Sequence, residues 1–447
     1  MPPLGEPKSP DWIVPVAPMT TRLLLLSNGH GEDLIALRII EALQLQCTEL
    51  EISVLALVGE GKSFANLENV FQLGPLQRLP SGGFSNQSLW ALLKDLWAGL
   101  GPLSFAQLQS IRRWSKAGDG VVLAVGDLLP LLMAWGSGKP YGFIGTPKSD
   151  YTWSSGPGCN PLADAYHRLK GSEWDPWEWA LMARPNCRLV VCRDSLTARG
   201  LRRHGVKALA PGNPMMDGFI TNPLPPAIEN LERVLLLPGS RCPEALRNLK
   251  RLLLALAQPQ PPANRLLMLA CGSRPNQAEL NLLLPRLGYR CSEIPLDSQA
   301  QAAWQGPAGL LLIGSGLFAT WAPWAQVGVA CAGTATEQLV GTGCGALSLA
   351  GPGPQFTLAF AKRQSRLLGG AVRVCREGPE LQRALRQLLN SPALQMELGR
   401  IGRHRMGNPG GSAAIAELIS TRLLINCDVQ KLNRNATDPI PKTPECI

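Results

Sequence analysis

Short apolar runs ending in small residues alternate with stretches of helical period along most of this chain, and the pattern occurs twice. In the first half Leu23–Leu26, Ile52–Val58, Val121–Val125, Tyr141–Ile144 and Leu189–Cys192 read as buried strands. Leu34 to Leu45 carries Leu, Ile and Ala at helical spacing between the first two. The second half repeats the plan with Val234–Leu237, Arg265–Leu269, Leu310–Ile313, Val327–Cys331 and Ala346–Leu349. Strands that alternate with helices connect as parallel β-α-β units in doubly wound sheets. The prolines of Asn222-Pro223-Leu224-Pro225-Pro226 interrupt both periods and mark a linker. The expected fold class is therefore α/β, with two Rossmann-like domains facing across a cleft. Residues 20–221 and 231–410 would form the domains and 222–230 the linker. Residues 411–425 read as a C-terminal helix free to pack back on the first domain. Polar, Pro-rich ends at 1–19 and 426–447 read as disordered.

Size and charge fit this plan. A chain of 447 residues suits two domains. Lys and Arg exceed Asp and Glu by 43 to 33, a net charge of +10 that favours anionic partners. No Lys/Arg block is interleaved with aromatics, so nucleic acid is not expected among them. Trp, at 12 against 4 Tyr, favours membrane–water interfaces, which points to an anionic membrane surface. The 12 cysteines are scattered without a Cys-x-x-Cys pair, and there are 4 histidines, so neither a metal site nor a cofactor is expected. Reduced thiols fit a cytosolic compartment. Met1–Pro18 lacks the apolar core of a signal peptide. Val121–Trp135 comes nearest to a spanning segment but contains Asp127 and Pro130. The expected location is cytoplasmic, peripheral on the inner face of a membrane.

Two strand-to-helix turns carry the chemistry. Leu235-Leu236-Leu237 breaks into Pro238-Gly239-Ser240-Arg241, and the later strand opens into Gly333-Thr334-Ala335-Thr336. Helix N-termini present unpaired N–H groups and a partial positive charge, and small residues let an anion approach them. Arg241 adds a bidentate partner for phosphate. Two such turns suggest a grip on a diphosphate, hence a nucleotide-linked substrate.

Five segments in order resemble the lipid-A-disaccharide synthase family. They are Val125-Gly126-Asp127, Pro211–Asp217, Leu236–Arg241 with Glu244, Ala332–Thr336, and Phe356-Thr357 with Ala361-Lys362-Arg363. The resemblance spans Thr21 to about Leu424 and implies the two-domain GT-B architecture. It also implies inverting transfer of an acylated glucosamine from a UDP-sugar donor to a membrane lipid acceptor. Gly239, Ser240, Arg241, Gly333, Thr334, Ala335, Thr336, Glu337 and Gln338 would then hold the UDP end, with Arg241 neutralising the leaving diphosphate. Three departures stand out. Gln338 occupies the place of a family Glu, with Glu337 one residue earlier. The first loop reads Asn28-Gly29-His30-Gly31-Glu32-Asp33 instead of Gly-Glu-Thr-Ser-Gly-Asp. Ser365–Val374 lacks the Asn-Leu-Leu-Ala-Gly-Arg pattern. The chain thus looks like the divergent branch seen in cyanobacteria, which leaves its acceptor open.

An inverting transfer needs a base for the acceptor hydroxyl. Asp127, after an apolar strand, is the family counterpart; it also fits a plain helix N-cap. His30, in the first strand-to-helix loop, titrates in a useful range; it also fits a loop histidine that caps the helix. Glu32 and Asp33 read as ordinary acids favoured at a helix start. Arg241 could instead pair with Glu244, and Gly333–Thr336 could be a simple capped turn. The apolar, Trp-bearing stretch Phe84–Phe105 reads as an interfacial helix or as a core helix. Trp174, Trp177 and Trp179 read as a loop cluster that lines an acceptor pocket or simply packs. Two rival functions remain: an enzyme like UDP-N-acetylglucosamine 2-epimerase, and a non-catalytic lipid- or nucleotide-binding homologue.

Overall fold

The computed structural model describes residues 21–47, 49–59, 61–75, 100–257, 264–272, 274–351 and 356–424. The first domain is a seven-stranded parallel sheet of β1 (Thr21–Ser27), β2 (Leu50–Ala56), β3 (Val70–Gln72), β4 (Val121–Gly126), β5 (Tyr141–Gly145), β6 (Cys187–Cys192) and β7 (Ala208–Leu209). Their spatial order is β3-β2-β1-β4-β5-β6-β7. Leu23 to Leu26 is apolar without alternation because helices cover both faces of the sheet. Leu23 and Leu25 pack towards the helix His30–Gln46, while Leu24 and Leu26 pack with Ile111, Leu131 and Trp174 on the other side.

The second sheet contains β8 (Glu232–Leu237), β9 (Arg265–Cys271), β10 (Arg290–Ser292), β11 (Ala302–Gly306), β12 (Gly309–Ser315), β13 (Val327–Ala330), β14 (Ala346–Leu349) and β15 (Val372–Cys375). Its order is β10-β11-β12-β9-β8-β13-β14-β15. Only β11 runs against its neighbours, joined to β12 by a hairpin that pairs Gly306 with Gly309. The sequence periods pass over β3, β7, β10, β11 and β15. These strands are short or lie towards sheet edges, where few residues are buried on both faces.

The helix Gly411–Leu418 and the turn Ile419–Leu424 return to the first domain. Ile415, Ile419 and Leu423 are buried with Leu23 and Ile39. Asp217 fastens this return: its carboxylate accepts hydrogen bonds from the backbone N–H of Gly410 at 2.5 Å and of Ser412 at 2.7 Å. The chain segments cross at Gly212 and Gly411, where a Cβ on Gly411 would stand 2.6 Å from the backbone of Asn213.

Most of the apolar stretch Phe84–Phe105 lies outside the described residues, as do the expected ends 1–19 and 426–447. From residue 100 a helix Leu100–Lys116 is present, with Leu103 buried and Phe105 exposed. The tryptophan cluster corrects the expectation of a loop. Pro176–Met182 is a helix, opened by Pro176 in its first turn and by a capping box of Asp175 and Glu178. Trp174 is fully buried edge-on to Phe143, Trp179 stacks on His204, and Trp177 is exposed. Among the described residues no helix is long and apolar enough to cross a membrane.

Candidate active site between the two sheets

Open α/β sheets bind ligands beyond the strand carboxyl ends, where the strand order reverses. In the first sheet that point lies between β1 and β4, with the loop Asn28-Gly29 on one side and Asp127 on the other. Asp127 is only 6% exposed and N-caps the helix Leu128–Gly136, its Oδ1 accepting from the N–H of Leu129 at 3.2 Å. The same oxygen accepts from Nδ2 of Asn28 at 2.8 Å. Both sequence readings of Asp127 are therefore compatible: it caps a helix and it stands in the crevice. Gly126 has φ +136°, and a Cβ there would stand 3.0 Å from Cβ of Asn28 and 3.4 Å from Cγ of Glu32. The missing side chain is what lets these groups gather.

Glu32 and Asp33 part company. Asp33 turns inward, where Ser27 donates to its Oδ1 at 2.5 Å. Glu32 turns towards Asp127 and accepts from Oγ1 of Thr146 at 3.2 Å. Burial raises the Glu32 carboxyl from 4.5 to about 7, and the charge of Asp127 adds to the rise. In the sequence Glu32 reads as an ordinary helix-start acid, because the partners that distinguish it, Asp127 and Thr146, follow strands distant in the chain. His30 is the first residue of the helix His30–Gln46; its side chain lies outside the described atoms.

In the second sheet the order reverses between β8 and β13, and the two expected turns follow these adjacent strands. The N–H of Cys331 donates to the carbonyl of Leu237 at 2.8 Å, which ties the turns together. Gly239 has φ +99°, and a Cβ there would stand 3.4 Å from the carbonyl oxygen of Cys331. Arg241 begins the turn into the helix Glu244–Leu256, while Glu244 is buried and accepts from the N–H of Phe356 at 3.3 Å. Gly333 caps the helix Thr334–Gly341 without a side-chain bond. Gln364 supports that turn from the helix Leu358–Leu367, donating to the carbonyls of Gly333 at 2.9 Å and Ala332 at 3.3 Å.

The rest of the Gly-Thr-Ala-Thr helix faces inward or across the domains. Thr336 is buried and donates to the carbonyl of Ala332 at 2.6 Å. Gln338 is buried as well, and its amide donates to the carbonyl of Met215 in the first domain at 2.8 Å. Glu337 pairs with Arg193, which follows β6, at 2.8 Å. Gln338 and Glu337 brace the domains against each other, while Thr336 ties its own turn together. Arg363 with Glu173 and Arg366 with Asp164, both at 2.9 Å, extend the contact.

The two crevices meet. A Cβ on Gly31 would stand 3.2 Å from Oγ1 of Thr334, so the start of the helix His30–Gln46 in one domain touches the start of the helix Thr334–Gly341 in the other. Two parallel-dominated, doubly wound sheets with facing switch points define the GT-B architecture. No protein-family model matches the chain. No curated protein sequence matches it either. Solved structures do. S. aureus MnaA in co-structure with UDP aligns with a TM-score of 0.53 over 95% of this chain and 100% of its own, at 13% identity. The UDP-GlcNAc 2-epimerase from Neisseria meningitidis bound to UDP-GlcNAc aligns with a TM-score of 0.51 over 91% and 100%, at 15% identity. At such identity the likeness shows the fold alone.

Proposed function

We propose that this protein is an inverting glycosyltransferase that moves a glucosamine-type sugar from a UDP donor to a lipid-linked acceptor, in the manner of lipid-A-disaccharide synthase. One observation carries the reading. The crevice with a buried, oriented carboxylate and the paired phosphate-type turns meet where Gly31 touches Thr334. Gly239, Ser240 and Arg241 with Gly333, Thr334 and Ala335 grip the donor diphosphate. Thr336, Glu337 and Gln338 hold the grip in place through their inward and interdomain bonds.

Asp127 takes the proton of the acceptor hydroxyl while that oxygen forms its bond to the anomeric carbon. The bond to the diphosphate breaks on the opposite face, and the leaving charge meets Arg241 and the helix N-termini. The N–H donors of Asn28 and Leu129 fix the direction in which Asp127 accepts. An exposed apolar face supports a lipid-linked acceptor. Phe105, Leu132, Trp135 and Trp177 are exposed on three adjoining helices, and Arg184 lies over the Trp135 ring at 5.7 Å.

A second reading has its own support. Epimerisation needs paired acid/base groups, and Glu32 stands beside Asp127 with its proton held to about pH 7. Incubation with UDP-GlcNAc, UDP-glucose, UDP-galactose or acylated UDP-glucosamine, with and without membrane lipid extract, separates the readings. Lipid-dependent UDP release supports transfer, a new UDP-sugar epimer without lipid supports epimerisation, and UDP binding without turnover supports a non-catalytic homologue. Asp127→Asn should abolish lipid-dependent release while sparing UDP binding; Arg241→Ala should weaken UDP binding. Near-normal turnover of Asp127→Asn would remove Asp127 from the mechanism.

A further inference from the structure

Asn28 opens the departing first loop and is 8% exposed. Its amide nitrogen is committed to Asp127 at 2.8 Å, yet its carbonyl oxygen Oδ1 has no hydrogen-bond partner among the described residues. Its neighbour Ser27, by contrast, is paired with Asp33. Buried amide oxygens are rarely left unpaired, because burial removes the water that would otherwise satisfy them. The side chain is held in the crevice by its bond to Asp127, and Gly126, having no side chain, leaves room for it. An unpaired acceptor therefore lies one amide group away from the carboxylate of Asp127.

We infer that Asn28 is the residue that reads the acceptor: its Oδ1 accepts from a hydroxyl or acylamino N–H adjacent to the hydroxyl that Asp127 deprotonates. The acceptor head group is then a sugar or polyol with neighbouring donors, not a lone alcohol. Two donors on adjacent carbons can serve two acceptors that lie side by side, whereas a single hydroxyl satisfies only one of them. This inference rests on the transferase reading for the role of Asp127, but the binding of a polyol can be measured without turnover.

The probe is octyl β-D-glucopyranoside below its micelle concentration, together with analogues in which each ring hydroxyl is replaced in turn by hydrogen. Binding to the full chain is measured by NMR in the presence of UDP. Two deoxy analogues at neighbouring positions should bind the wild type more weakly than the parent. One lacks the hydroxyl that faces Asp127; the other, lacking the donor that faces Asn28, should lose about five- to tenfold, the value of one neutral hydrogen bond. The second deficit should vanish in Asn28→Ala, whose fold is checked by circular dichroism, and the first should remain. Equal binding of every analogue to the wild type, deficits that all persist in Asn28→Ala, or no binding of any glycoside would each overturn the inference. The wild-type series alone decides the matter if the variant fails to fold. Lipid-dependent UDP release is scored separately: its presence without glycoside discrimination sinks only the role of Asn28. Glycoside discrimination without any UDP release sinks the transferase reading instead.

Discussion

Replacing Glu32 by glutamine should stabilise the protein above neutral pH and leave it unchanged in acid. The glutamine keeps the length of the side chain and an oxygen for Thr146, which bonds Glu32 at 3.2 Å. It removes the charge that burial and the neighbouring Asp127 disfavour. The folded carboxyl titrates at about 7 against an ordinary value of 4.5. Below 4.5 the folded and unfolded chains both hold the proton, and the glutamate carries no penalty. Between 4.5 and about 7 the unfolded chain has released its proton and the folded chain has not, so stability falls as pH rises. Above that window the loss is complete. A rise of this size corresponds to about 3 kcal/mol. Glu32 keeps some contact with solvent, and screening there reduces the expected difference to about 1–2 kcal/mol. Urea titrations of both proteins at pH 4, 6 and 8, followed by tryptophan fluorescence, would measure it. Trp114 and Trp174, both buried in the first domain, report on the relevant core. A stability difference that does not grow with pH would refute the reasoning, since it would mean that the charge on Glu32 is not what the fold opposes.

Further perturbations probe the geometry around this pair. Gly126→Ala would set a Cβ 3.0 Å from Cβ of Asn28 at a φ of +136°; a loss of about 1–3 kcal/mol is expected in denaturant titration. UDP release should fall with it, because the same contact displaces the partner of Asp127. Gly411→Ala would push a Cβ to 2.6 Å from the backbone of Asn213. Amide exchange across Gly411–Leu424 should rise at least about tenfold, as the return helix loosens from the first domain. The Arg193–Glu337 pair crosses the domains at 2.8 Å, with side chains 7% and 14% exposed. A double-mutant cycle with alanine at each position should show a coupling of about 1–2 kcal/mol in stability; additive effects would show that the pair does not link the domains.

Much of the architecture is legible in the chain itself. Leu23–Leu26, Val121–Val125 and Val234–Leu237 announce buried parallel strands, because a strand covered on both faces has no polar alternation. The turns at Gly239 and Gly333 are legible too, since backbone freedom and helix opening depend on a few consecutive residues. The identities of the partners are not. Asn28 meets Asp127 across 99 residues, Gln338 meets Met215 across 123, and Arg193 meets Glu337 across 144.

The sequence by itself thus determined the two doubly wound sheets and the position of the paired strand-to-helix turns, because both follow from local period and local backbone chemistry. Tertiary structure alone decided which acid at the first helix start faces Asp127, and that Gln338 and Glu337 bind the other domain. It also decided that an unpaired oxygen of Asn28 stands beside the carboxylate. Hydrogen bonding and burial depend on what the fold brings near, and no local pattern encodes the approach of strands a hundred residues apart.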